Sequence, residues 1–383
     1  MNDTETRLRD YLQTKAGEVP DSAQGPGLEP AATGTPRRRW APMVLAAASI
    51  GAVLILVVPF LDNLINDSPA TSAPVSTGPL RIPYTVIINN KPDQPLDTWW
   101  VALHDGEQTI KNPGVEGSVL DRLDQGWLGK TGDLDPKKAQ AVVIGPTGKV
   151  RPIGPAGVDD PVLSPDGRQI AVVIAPYGAK ESRVVVLNVA DRRQVSEVKV
   201  PTPMMMLVGW NKDGIWMQPP APPTDPQPTS VWRPGSAEVR EVGDLVVPLE
   251  VARGSGTVIQ TTYSRERGYC LKPSTLGAQG LVAIREFCAG GGAYPYPALS
   301  SNGALMALDT GDVLDVASGR VAKLRLPDGF ESSFAPVFED SGTVILLASS
   351  AKDQKIFRCG IANGDCVPIV TAKAKEILAL VRP

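Results

Sequence analysis

The chain has 383 residues, enough for several folded units or for one large all-β domain. Its net charge of −3, from 38 Lys and Arg against 41 Asp and Glu, provides no basic footprint for nucleic acid. With 37 Gly, 37 Pro and 5% aromatic residues the composition favours many turns and short strands, and a single histidine excludes most general-base machinery.

Residues 3–16 predict one short helix, with Leu8, Tyr11 and Leu12 on one face at i, i+3, i+4 spacing. That face suits docking of a cytoplasmic partner, although a helix this short is marginal alone in water. Residues 17–36, rich in Pro, Gly, Ala and Ser, read as a disordered spacer. Residues 1–40 together form a tail.

The stretch from Ala41 to Leu61 is twenty-one residues without a charge. As a helix it would span about 30 Å, the thickness of a bilayer's hydrocarbon core. Arg37, Arg38 and Arg39 precede it, and the positive-inside rule then puts the tail in the cytoplasm and the rest outside. The long lead before the apolar run, and its length, argue for an uncleaved single-pass anchor in the plasma membrane rather than a signal peptide. No cysteine lies near the run, which excludes a lipoprotein. Residues 62–83 read as a flexible linker on the outer side.

From Tyr84 to Pro383 a turn-plus-strand pattern recurs. Its best copy is Leu163-Ser164-Pro165-Asp166-Gly167-Arg168-Gln169-Ile170-Ala171-Val172-Val173. Weaker copies bring their glycines to 126, 214, 256, 303 and 342, so successive spacings are 41, 47, 42, 47 and 39. Asp-Gly or Asn-Gly supplies the positive φ of a tight turn, and the apolar run that follows predicts a buried strand. Second and third strands with polar turns follow most copies. About four strands per ~43 residues is the content of one propeller blade. Residues 164–171 resemble the TolB-type, WD40-like propeller repeat, whose signature is close to Ser-Pro-Asp-Gly-x-x-Ile-Ala. The resemblance implies an all-β, seven-bladed β-propeller over 84–383, with six blades as the alternative count. Six copies are visible. The remaining blade is expected to be shared, with Thr85 to Asn89 and Thr98 to Leu103 from the start and Ile377 to Val381 from the end.

All four cysteines lie beyond the apolar run, where disulfides persist. Of three possible connectivities, Cys359–Cys366 and Cys270–Cys288 are favoured, the first across a hairpin with an Asn363-Gly364 turn; four unpaired thiols are the alternative. No CxxC is present, and no metal or cofactor is expected.

No catalytic constellation emerges. His104 precedes a turn, and no Gly-x-Ser-x-Gly elbow accompanies it. Gly145 to Val150 lacks the first glycine and the Ser/Thr of a phosphate loop and reads as a hairpin turn. Asp309 to Asp315 does not follow a calcium-loop pattern, and Asp159-Asp160 reads as turn residues. Two loops suit contact with a partner or ligand: Pro219 to Pro228, with Pro222 and Pro223 in an extended polyproline segment, and Ala289 to Pro297, with Tyr294 and Tyr296 beside glycines. The layout also resembles single-pass membrane proteins of actinobacteria, some tied to extracytoplasmic-function sigma factors. The expectation is a non-enzymatic, membrane-anchored extracytoplasmic module that binds or senses an envelope protein or ligand. The alternatives are an anti-sigma-like regulator working through its tail, and an envelope hydrolase using propeller carboxylates.

Overall fold

The computed structural model describes residues 75–88, 100–112, 117–132, 137–158, 160–174, 179–203, 205–220, 226–264, 266–288, 296–332 and 336–382. The tail, its short helix, the apolar run 41–61 and the first part of the linker lie outside the described residues. Among the described residues no helix is long and apolar enough to cross a membrane.

The described chain is all-β and forms seven blades. The second blade runs Gly117–Leu123, Gly126–Thr131, Gln140–Ile144, Val150–Ala156, and the third runs Val162–Leu163, Gln169–Ile174, Ser182–Asn188, Gln194–Val200. The sixth holds Pro297–Leu299 to Val321–Lys323, and the seventh Val337–Asp340 to Cys366–Thr371. Blades four and five share one strand. Val239–Val251 pairs through its first half with Pro226–Trp232, shifts register between Val246 and Glu250, and pairs through its second half with Thr257–Ser264.

The first blade closes the ring as the sequence predicts. Glu376–Leu380, from the far end of the chain, is its inner strand, hydrogen-bonded to Tyr84–Ile88; Trp100–Asp105 and Gln108–Lys111 complete it. The pairing is antiparallel over five residues, from Tyr84 opposite Leu380 to Ile88 opposite Glu376.

Burial follows from strand periodicity. Successive side chains on a strand point to opposite faces, so a strand covered on both faces reads as a continuous apolar run. In Gln169–Ile174, Ile170 and Val172 enter the core between blades two and three, while Ala171 and Val173 enter the core between blades three and four. The same division repeats around the ring, giving an apolar cluster at each of the seven blade junctions.

The repeat's turns adopt one geometry in blades three and six. Ser164 Oγ donates to Asp166 Oδ1 (2.7 Å) and accepts the Gln169 N–H (2.9 Å), and Gly167 takes a φ of 70°. Ser300 Oγ donates to Asn302 Oδ1 (2.8 Å) and accepts the Leu305 N–H (2.9 Å), with Gly303 again at 70°. A left-handed glycine is needed at that position, where a side chain would be strained.

Two expectations need correction. Residues 75–83 are not a flexible linker. Leu80 and Ile82 are buried at the seam between blades seven and one, against Ile345, Leu347, Ile356 and Leu378. Their backbone is held by Arg358, whose five N–H donors are all used. Nε and Nη2 form a fork onto the Glu339 carboxylate (2.7 and 2.8 Å), Nη1 donates to the carbonyls of Ser76 and Gly78, and Nη2 also donates to that of Pro79. Glu339 in turn accepts the Arg81 N–H. Such bidentate geometry suits arginine and not lysine. The second correction concerns the proline-rich loop. Pro226 to Pro228 begin the third strand of blade four, paired with Asp244 to Val246, rather than extending an independent polyproline segment.

The disulfides are Cys270–Cys288 and Cys359–Cys366. Each joins residues directly opposite on neighbouring strands.

Two stability predictions follow. Arg358→Met leaves the Glu339 carboxylate buried without a counter-charge and three carbonyls without their donor. We expect a loss of about 3–5 kcal/mol in urea unfolding, and new protease cleavage between 75 and 83 under native conditions. Removing Cys270–Cys288, which spans 18 residues, is expected to cost about 3 kcal/mol. Removing Cys359–Cys366, which spans 7, should cost about 2 kcal/mol in the same assay.

Candidate binding site in the central channel

Every blade begins with a strand facing the ring's axis, and these inner strands run the same way. Asp121 on the inner strand of blade two forms a parallel bridge with Arg382, which continues the inner strand of blade one. The Arg122 N–H donates to the Arg382 carbonyl (3.0 Å) and the Arg382 N–H to the Leu120 carbonyl (3.1 Å). The repeat's turns therefore gather at one mouth of the channel.

A cavity of about 890 Å³ occupies the axis, within the range of small-molecule sites. Its walls come from the inner strands of blades one and three to seven. Trp210, Val251, Leu299 and Phe338 are apolar wall, Tyr296 stands half-exposed, and Glu250, Arg253 and Arg382 supply charge.

The charges are arranged across the ring. Arg253, in the first turn of blade five, reaches Asp121 of blade two on the far side of the channel and forms an ion pair with it. The Asp121 side chain is 4% exposed, and burial raises its carboxyl against the opposing pull of Arg253 and Arg382. Lys130 pairs with Asp160. Glu339 also lines the cavity, but its carboxylate is committed to Arg358.

Glu250 and Arg382 are different. Both line the cavity, and among the described residues neither side chain makes a direct ion pair or hydrogen bond. Burial raises the Glu250 carboxyl, only partly offset by Arg382 and Arg253. For Arg382 burial opposes the charge, but Glu250, Asp121 and Asp160 together outweigh it and hold the guanidinium protonated.

Other candidates have structural places. His104 stacks on Tyr84 at 4.7 Å, and its Nδ1 is 3.0 Å from Thr109 Oγ1. Burial lowers its pKa. Gly145 to Lys149 is a hairpin turn, closed by the Gly148 N–H on the Gly145 carbonyl (2.8 Å). Asp309, raised by burial, accepts the backbone N–H groups of Tyr296 and Thr310. Asp160, read as a turn residue, instead contributes to the channel's charge balance through Lys130 and Arg382. Pro222, Pro223 and Tyr294 lie outside the described residues. Tyr296, 51% exposed, is the predicted contact residue that reaches the channel. Cys270, Glu286 and Cys288 lie together, but both sulfurs belong to the disulfide and are not metal ligands.

No known protein family and no curated protein matches the sequence. Solved structures do match the fold. The β-propeller domain of the Trilobed protease from Pyrococcus furiosus, described as having an open velcro topology, is similar over 70% of this chain and 86% of its own, at 10% identity and a TM-score of 0.50. A prolyl endopeptidase is similar over 66% of this chain at 12% identity, with a TM-score of 0.49. This chain spans 41% of that enzyme's length. TolB from Acinetobacter baumannii is similar over 70% of this chain and 65% of its own, at 14% identity and a TM-score of 0.41. These likenesses bear on the fold alone: the chain is a seven-bladed β-propeller. Unlike the topology described for the Pyrococcus furiosus domain, this ring is closed by the pairing of its first and last strands.

The raised Glu250 carboxyl fixes the sign of a pH effect. The folded state binds a proton more readily than the unfolded chain, so the cost of the charged form is full above the folded pKa. It is relieved as pH falls through that value toward the unfolded one. Glu250→Gln is therefore expected to raise the urea midpoint at pH 8, with the gain shrinking toward pH 4, when unfolding is followed by tryptophan fluorescence.

Proposed function

We propose that this protein is a membrane-anchored binding module whose propeller stands outside the cell and takes a ligand into its central channel. The observation carrying this reading is the cavity of about 890 Å³ with Glu250 and Arg382 facing into it, each without a direct protein partner among the described residues. An acid and a base on a cavity wall, neither engaged directly by the protein, are a common mark of a binding or catalytic site. Two disulfides that use all four cysteines support an oxidising compartment, and the apolar run Ala41 to Leu61 supports an anchor. Carboxylate chemistry of the glycosidase kind is less well supported. It needs two acids at a common substrate, whereas Asp121 and Glu339 are each committed to an arginine.

Single cysteines on a background with the native four replaced by serine test the topology. Lys352→Cys, on an exposed loop, should react with a membrane-impermeant maleimide in intact cells, and Thr4→Cys only after permeabilisation. The reverse pattern would end the reading. Native mass spectrometry of the full chain released from fresh membranes then tests binding: a retained species of defined mass supports it, and bare protein counts against it.

A further inference from the structure

The charge distribution of the channel narrows the ligand, taking the binding role as given. Asp121 is matched by Arg253, Asp160 by Lys130, Glu339 by Arg358 and Asp340 by Arg81. That leaves one acid, Glu250 on the inner strand of blade five, and one base, Arg382 on that of blade one, both on the cavity wall. They feel each other's field but, among the described residues, share no hydrogen bond or ion pair. A purely anionic ligand would match Arg382 and be repelled by Glu250; a purely cationic one would meet the opposite conflict. A ligand carrying both an ammonium and a carboxylate satisfies both groups at once. Trp210, Val251 and Phe338 add apolar surface to the same cavity wall. We propose that the channel binds a zwitterion of the amino-acid type, a free amino acid or a short peptide with unblocked ends, its carboxylate on Arg382 and its ammonium on Glu250.

The guanidinium suits this role because its planar fork matches a carboxylate with two parallel hydrogen bonds. The ammonium is a compact donor of three hydrogen bonds, which one carboxylate and neighbouring hydroxyls can accept. Ser300 and Ser301, in the adjacent turn of blade six, also line the cavity. Tyr296 at its edge carries an aromatic face and a hydroxyl, suited to the ligand's apolar part or its peptide group.

The test is isothermal calorimetry on the full chain in detergent micelles, with leucyl-leucine, its N-acetyl form, its C-terminal amide and free leucine. The free dipeptide should bind, and each cap should weaken binding about tenfold or more, because each removes one of the two charge-assisted contacts. Binding of the dipeptide well above leucine assigns a peptide; comparable binding assigns the amino acid. Glu250→Gln should lose discrimination against the N-acetyl form, and Arg382→Gln discrimination against the amide. The capped ligands act on the unaltered protein, so the result does not depend on either variant folding. Equal binding of all forms would overturn the proposal. So would no binding of any form, and if the chain from fresh membranes nonetheless retains another species by mass spectrometry, the ligand class fails while the binding role stands.

Discussion

A ring of sheets is only as stable as its closure. Here closure depends on the pairing of Glu376–Leu380 with Tyr84–Ile88, strands from opposite ends of the described propeller. Backbone hydrogen bonds alone would make this a modest latch, since each contributes about 0.5–1.5 kcal/mol net. Three further features strengthen the seam. Leu378 faces the junction with blade seven and packs with Leu80 and Ile82. Arg358 of blade seven holds the backbone of 76–79 in place over them. On the other side, Arg382 carries the last strand into contact with blade two. The ends of the propeller are thus secured to both neighbours, so opening the first blade requires disrupting three blades at once.

Much of this architecture is legible in sequence because it is local. The turn in Leu163 to Val173 needs a side-chain acceptor, a left-handed glycine and a buried strand at fixed offsets, and all lie within eleven residues. The strand Gln169–Ile174 is apolar throughout because both faces meet other blades. The count of six turn copies for seven blades also has a physical reason. The repeated turn joins an inner strand to the one beside it, and in blade one the inner strand comes from the other end of the chain, so no such turn exists there. A gap of one in the repeat count is what a shared blade produces. The cysteine pairings are legible for a similar reason in one case: Cys359 and Cys366 flank a short hairpin.

What was not legible is long-range and electrostatic. Arg358 lies 282 positions from Ser76, and composition around 75–83 reads as linker because its few apolar residues sit among Pro, Gly and Ser. Their burial depends on a groove made by blades seven and one, which no local pattern records. Asp121 and Arg253 are separated by 132 positions, and each sits in an unremarkable context. Glu250 falls after a register shift within one long strand, where alternation no longer predicts the face. Asp160 read as a turn residue for the same reason: its neighbours in space belong to other blades. The proline-rich segment misled in the opposite direction, since Pro226 and Pro228 lie at the start of the third strand, before its pairing with the second begins at Ser230, where their missing donors are tolerated.

Inner strands are drawn to the axis by blade packing, so any polar residue on them is carried away from bulk solvent whether or not it has a partner. Asp121 and Arg253 solve that problem by reaching across the lumen to each other. Glu339 solves it sideways, with an arginine that also secures the seam. The Glu250 and Arg382 side chains make no hydrogen bond or ion pair among the described residues, but each lies in the other's field, with Asp121 and Asp160 adding to the pull on Arg382. The same closure that makes the ring hard to open holds the inner strands that carry those two groups around one cavity.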